Sequence, residues 1–231
     1  MQPSRQPTGS GERLHCSVEV ERLPRGRHGL SREFVAQNQR ERLLGALAEC
    51  LAERGYDGTT VSMVGQRAGV SKSDFYKQFE SKDACFLAAY EDAVGRIRER
   101  LLADCEQGME WPARVLAGLS ALLQHLADEP AQAQLVLVEG LRAGRGVYDL
   151  YQGAMQSFVP LLREGAPAPA GGEPPPLATD EAVVGGVASL LARRVLTGET
   201  EKLPQFLPEI AEFALTPYLG AAEARRIIPT Q

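Results

Sequence analysis

The residues with the clearest chemical potential lie in the first 90 positions, and their chemistry is that of binding anions. Lys82 stands at the start of a long apolar-periodic segment opened by Ser81 and Asp83. A helix beginning there offers free amides and a partial positive charge beside an ammonium, a combination that suits a phosphate. Upstream, Arg22, Arg25, Arg27 and Arg32 are interleaved with Pro24, Gly26 and Gly29. An arginine-bearing arm such as this either enters a minor groove, where narrow walls concentrate negative potential, or remains a solvated tail. Catalytic chemistry has no comparable support. The sequence contains no Gly-x-Ser-x-Gly, His-Glu-x-x-His, glycine-rich phosphate loop or paired-carboxylate signature. Cys16, Cys50, Cys85 and Cys105 form no Cys-x-x-Cys pair, and His15, His28 and His125 are scattered, so neither a metal site nor a disulfide framework is expected. No cofactor is implied.

Charge is distributed in the same sense. The net charge of −5 hides a basic stretch, residues 22–82, with 11 Lys/Arg against 7 Asp/Glu, followed by residues 83–231 with 12 against 20. That split fits a basic module that meets phosphates joined to an acidic body that does not. With 231 residues, 44% of them apolar, the chain can bury a sizeable core. No run approaches the ~18 apolar residues of a membrane span and no secretory signal is visible, so a cytoplasmic protein is expected.

The elements that must position these residues are helices, and an all-α fold is predicted. Residues 1–30 lack periodicity and read as a flexible arm. A first helix runs from about Ser31 to Arg54 on an apolar stripe of Val35, Leu43, Leu44, Leu47, Ala48 and Leu51, and Gly55 ends it. Thr60 N-caps a short helix to about Ala68, and Gly69 supplies the turn. Ser71-Lys72-Ser73-Asp74 is a capping box that starts a second short helix reaching about Gln78. Two helices of about two turns joined by a glycine-containing turn form a helix-turn-helix over 60–79. Val61, Val64, Ala68, Val70, Phe75 and Phe79 are spaced to bury against the first helix, leaving the polar residues of the second short helix outside.

Later helices are predicted over about 81–105, 111–127 and 147–163, with Pro160 bending or ending the last. For Ala131 to Arg142 local propensity also permits a strand at Leu135 to Val138, and the lack of a strand partner favours helix. Ala166 to Pro176 is a proline-rich linker. Two closing helices, about 180–196 and 203–219, are apolar on more than one face and are the candidate subunit interface.

The stretch TTVSMVGQRAGVSKSDFYKQFESKDACF (Thr59 to Phe86) resembles the signature of the TetR family of bacterial one-component regulators. RLPRGRHGLSREFV before it is similar to the arm of actinobacterial members. The resemblance implies an N-terminal three-helix DNA-binding domain at 31–80 after the arm at 1–30, with a larger ligand-binding and dimerisation domain at 81–231. By the same resemblance Thr60, Tyr76 and Lys82 hold phosphates, while Lys72, Ser73, Asp74 and Lys77 face base edges. Gly65 stands where the family usually has alanine, and Ser73-Asp74 replaces the common Gly-Thr, which places an acid on the recognition helix. The implied protein is a homodimeric repressor, released by a small-molecule effector from a pseudopalindromic operator, and not an enzyme. A helical adaptor that has lost specific DNA binding is the alternative. Family architecture also implies an apolar pocket among the middle helices, for which Tyr90, Trp111, Tyr148, Tyr151, Met155 and Phe158 are candidate walls, with His125, Glu139 or Arg142 orienting the ligand.

Overall fold

The computed structural model describes residues 31–103, 108–140, 145–168 and 175–228. The candidate arm with Arg25 and Arg27, and also Arg142 and Cys105, lie outside the described residues. Every regular element among the described residues is helical. They are α1 (Arg32–Gly58), α2 (Val61–Ala68), α3 (Lys72–Gln78), α4 (Lys82–Ala103), α5 (Trp111–Asp128), α6 (Pro130–Gln134), a π-helical turn (Leu135–Glu139), α7 (Arg145–Arg163), α8 (Leu177–Leu196), a 3-10 segment (Thr200–Phe206), α9 (Leu207–Leu219) and α10 (Ala221–Ile227).

The predicted caps are in place: Thr60 Oγ accepts from Met63 N, Ser71 Oγ from Asp74 N and Ser81 Oγ from Ala84 N, and Ser31 Oγ caps α1 by accepting from Phe34 N. Each occupies one of the amides that a helix leaves unpaired at its start. Gly55 breaks α1 as expected, at φ 68° and ψ 177°, after which one more turn reaches Gly58. Leu43, Leu47 and Leu51, fully buried on one stripe of α1, pack where α2 and α4 cross it.

Helix α7 ends at Arg163, the predicted bound, with Pro160 inside it. The ring removes one amide from the ladder, and both Pro160 and Gln156, four residues before it, are exposed, so water can take the orphaned carbonyl. The second half of the chain departs from the predicted pattern in three places. Helix α8 begins at Leu177, three residues before the predicted start. The predicted helix from Leu203 is divided: a 3-10 segment leads to α9 at Leu207, with Pro204 and Pro208 at the change of pitch. A further short helix, α10, follows Gly220, whose φ of 78° turns the chain back. Residues 131–139 are helical rather than extended, with the π-turn Leu135–Glu139 where strand was the competing reading.

Near the C-terminus a buried polar cluster fastens three helices. Asp180 on α8 is 1% exposed and accepts from Arg163 on α7 and from the Tyr218 hydroxyl on α9. Tyr218 also packs against Trp111, with ring centroids 4.9 Å apart, and the Trp111 indole N–H donates to Leu162 O at 2.7 Å. Burial and the Asp180 carboxylate both push the Tyr218 phenol well above its ordinary range.

Candidate nucleic-acid interface and apolar cavity

Seven residues, KSDFYKQ, form α3, and a helix of two turns has too little intrinsic stability to stand alone. Phe75 is fully buried and Phe79 is 5% exposed, their rings 5.7 Å apart. From α1, Arg40 lies over the Phe79 ring at 4.6 Å, Ala36 O accepts from Gln78 Nε2 at 3.2 Å, and Arg42 donates to Ala68 O and Gly69 O at the end of α2. The turn between α2 and α3 is tight. Gly69 sits at φ 64°, Val70 N donates to Gly65 O at 2.8 Å, and a Cβ on Gly65 would lie 2.8 Å from Val70 O. Glycine at 65, a departure from the family pattern, therefore matches the close approach of the two chain segments.

This anchoring leaves Lys72, Ser73, Tyr76 and Lys77 exposed on one outer surface, with Tyr76 50% exposed. Asp74 differs from them. Its carboxylate takes Lys77 Nζ at 2.7 Å and the Ser71 hydroxyl at 2.7 Å, and these two hydrogen bonds, Lys77 first, hold it below its usual pKa. The acid that sequence placed on the recognition surface is thus internally paired, and it neutralises one of the two lysines of that helix.

Lys82 has an architectural position. Its ammonium donates to Tyr56 O at 2.8 Å and Thr59 O at 3.0 Å, and it lies 3.9 Å from the Tyr56 ring centroid. It closes the end of α1, leaving one of its three donors for an outside acceptor. Thr59, buried to 1% and with Oγ donating to Gly55 O at 2.8 Å, completes that corner and was not singled out by sequence. Thr60 remains exposed beside it.

In the body, α4, α5, α7, α8, α9 and the π-turn line a cavity of about 190 Å³. Its wall is almost wholly aliphatic: Ile97 and Leu101 from α4, Val115, Leu119 and Leu122 from α5, Val136 and Leu137 from the π-turn, and Val183, Val184 and Val187 from α8. Met155 and Phe158 line it. The other described candidates are elsewhere. Tyr90 is fully buried against Gly140, where a Cβ would lie 2.6 Å from its ring. Trp111 and Tyr151 are packed in the core, and Tyr148 is 51% exposed. His125 is half-buried beside Gln132, and burial pulls its pKa down. Glu139 is turned toward α1, accepting from Tyr56 N at 3.1 Å. Val115, Leu119 and Leu122 were legible in sequence only as a core stripe, because a cavity wall and a packed core use the same residues. Arg114 and Glu164 supply the charged side chains of the lining.

Among the described residues, no group of three or more His, Cys, Asp or Glu is arranged to hold a metal, and no helix is long and apolar enough to cross a membrane.

Residues 43–89 match the family described as "Bacterial regulatory proteins, tetR family". The chain is 22% identical over 127 residues to the Fatty acid metabolism regulator protein of Bacillus subtilis, an alignment covering 53% of this chain and 66% of that one. It is 28% identical over 137 residues to the HTH-type transcriptional repressor AcnR of Corynebacterium efficiens, covering 54% of this chain and 72% of that one. These alignments thus span about half of the present chain. Among solved structures, a FadR transcriptional regulator from Bacillus subtilis in complex with stearoyl-CoA superposes with a TM-score of 0.67 at 16% identity, covering 76% of this chain and 97% of that one. A TetR-like regulator from Rhodococcus sp. RHA1 superposes at 0.61 and 18% identity, covering 85% and 98%. At such identities the superpositions establish a shared fold.

Proposed function

The chain belongs to the tetR family of bacterial regulatory proteins through its residues 43–89, and from that premise we propose that it is a cytoplasmic, ligand-released transcriptional repressor that binds a pseudopalindromic operator as a homodimer. The observation that carries this reading is the outer surface of α3: Lys72, Ser73, Tyr76 and Lys77 are exposed together on a helix whose opposite side is pinned by Phe75. Lys72 and Ser73, in its first turn, are the base-reading residues, and Asp74 sets the geometry of Lys77. Thr60, Tyr76 and the remaining donor of Lys82 hold phosphates. Residues 31–80 form the DNA-binding unit and 81–231 the effector and dimer unit.

The effector is an apolar molecule with an extended hydrocarbon part, bound in the aliphatic cavity. The complex of the structurally similar FadR with stearoyl-CoA supports that class. Helices α8 and α9 pair with a second copy. In support, Ala182 and Ser189 are small and exposed on α8, Phe213 on α9 lies against Gly186 while 40% exposed, and Leu196 is 56% exposed.

The test is the salt dependence of duplex binding, followed by fluorescence anisotropy with sheared genomic DNA. Affinity is expected to fall linearly with salt on a log–log plot, and Lys82→Ala to reduce the slope by about one unit. Absence of binding even at low salt contradicts the repressor and favours a helical adaptor built on the same fold.

A further inference from the structure

We infer that Glu139 is a positioning residue that ties the occupancy of the cavity to the placement of the helix-turn-helix. The inference rests on the ligand-responsive reading above and adds the route by which the response travels. The relevant geometry is compact. Val136 and Leu137 form part of the cavity wall, and they belong to the same five-residue π-turn as Glu139. The Glu139 side chain leaves the wall in another direction: the residue is 1% exposed, and its Oε2 accepts the Tyr56 backbone N–H at 3.1 Å, across 83 residues of sequence. Gln134 Nε2 approaches Oε1 at 3.4 Å from the preceding turn.

Tyr56 is the first residue after the break at Gly55, so its amide lies beyond the regular part of α1. Its carbonyl and that of Thr59 receive Lys82 Nζ, and Thr60, the next residue, is the N-cap of α2. The backbone of the π-turn joins the cavity wall to Glu139, and polar contacts lead from there through the corner at 55–60 to the start of the helix-turn-helix. A second contact reaches the same π-turn from α4, where the Tyr90 hydroxyl approaches Val136 O at 3.5 Å and its ring rests against Gly140. Lys82 is also on α4, so both branches meet at the corner.

A buried carboxyl is costly unless its hydrogen bonds are met, and a π-turn is a register defect that can convert to α by a one-residue shift. That shift would give the turn a second discrete arrangement, which is the physical requirement for transmitting a binding event. An occupant that presses on Val136 and Leu137 displaces the turn, withdraws Glu139 from Tyr56, and loosens the corner that sets α2 and α3. The Tyr56 N–H then loses its acceptor.

The experiment fills the cavity from within and reads the Tyr56 amide by hydrogen exchange on the full chain. Gly118 lines the cavity, and a Cβ there meets nothing within 4 Å, so Gly118→Phe, with the smaller Gly118→Leu run beside it, serves as a fixed occupant. Tyr56 exchange is expected to accelerate about tenfold on filling, while the Ala224 amide, bonded to Gly220 O at the far end of the chain, keeps its rate. Glu139→Ala is expected to accelerate Tyr56 alone, with no further gain when the cavity is also filled. Glu139→Gln, whose amide oxygen still accepts, retains the slow rate and the response to filling. Unchanged Tyr56 protection in both filled variants, or independent addition of the filling and Glu139→Ala effects, overturns the proposal. Exchange is read without DNA or effector, so failure of the protein to hold duplex counts against the repressor reading alone.

Discussion

Phe75→Ala is expected to lower the stability of the protein by about 3–5 kcal/mol and to abolish specific DNA binding. Phe75 is the fully buried side chain of α3, and it is the point at which the recognition helix joins the core of α1 and α2. Removing the ring leaves a cavity lined by neighbours that cannot collapse, because the turn beneath is already at contact distance between Gly65 and Val70. A two-turn helix deprived of its anchor loses order before the body does, so DNA affinity falls further than global stability alone dictates. Urea denaturation and anisotropy titration check the two parts separately. Phe75→Leu, which keeps most of the volume, is expected to cost about 1–1.5 kcal/mol and to retain binding. Full DNA affinity in Phe75→Ala would show that α3 is not held in the way described.

The second large effect concerns the other end of the molecule. Asp180→Ala is expected to cost about 2–4 kcal/mol, because it removes the shared acceptor of Arg163 and Tyr218. The buried Tyr218 hydroxyl carries most of the loss. The side chain of Arg163 is 42% exposed and can turn to water, which keeps the cost below that of a fully buried pair. Asp180→Asn retains one acceptor and is expected to fall between alanine and the natural residue. The cluster joins α7, α8 and α9, so its loss is also expected to loosen the cavity wall that α7 and α8 supply. Thermal unfolding checks the ordering Asp, Asn, Ala, and equal stability of all three would remove the cluster from the architecture.

The DNA-binding half was legible in sequence because its determinants are local. Caps act over three residues, so Thr60, Ser71 and Ser81 marked the starts of α2, α3 and α4, and Gly69 marked the turn by its need for positive φ. The interactions of Lys82 and Asp74 were not legible in the same way. Residue type assigned Lys82 to phosphate, whereas its position also closes the end of α1, a contact made 23 and 26 residues away. Asp74 read as a base contact, yet its carboxylate is engaged by Lys77 and Ser71 within its own helix.

In the body, helical periodicity identified elements without their partners. An aliphatic stripe on α5 looks the same whether it faces packed side chains or a cavity, and aromatic residues were therefore favoured as ligand contacts over Val115, Leu119 and Leu122. The π-turn was ambiguous for a related reason. Leu135 to Val138 is apolar in a continuous run, which local propensity cannot divide between strand and buried helix, and all four residues are in fact buried. Glu139, at the end of that run, is a ligand-orienting candidate by the family resemblance. Its role depends on Tyr56, 83 residues earlier, which no local pattern connects to it.

Selection of bound duplex from a random pool tests whether α3 presents a sequence-reading surface on a dimer. Enrichment of one pseudopalindrome is expected, with half-sites about 10 base pairs apart, or a multiple of that spacing, and with Lys72→Ala and Lys77→Ala altering the preferred bases. A pool that emerges unenriched, or a motif left unchanged by both substitutions, would contradict it.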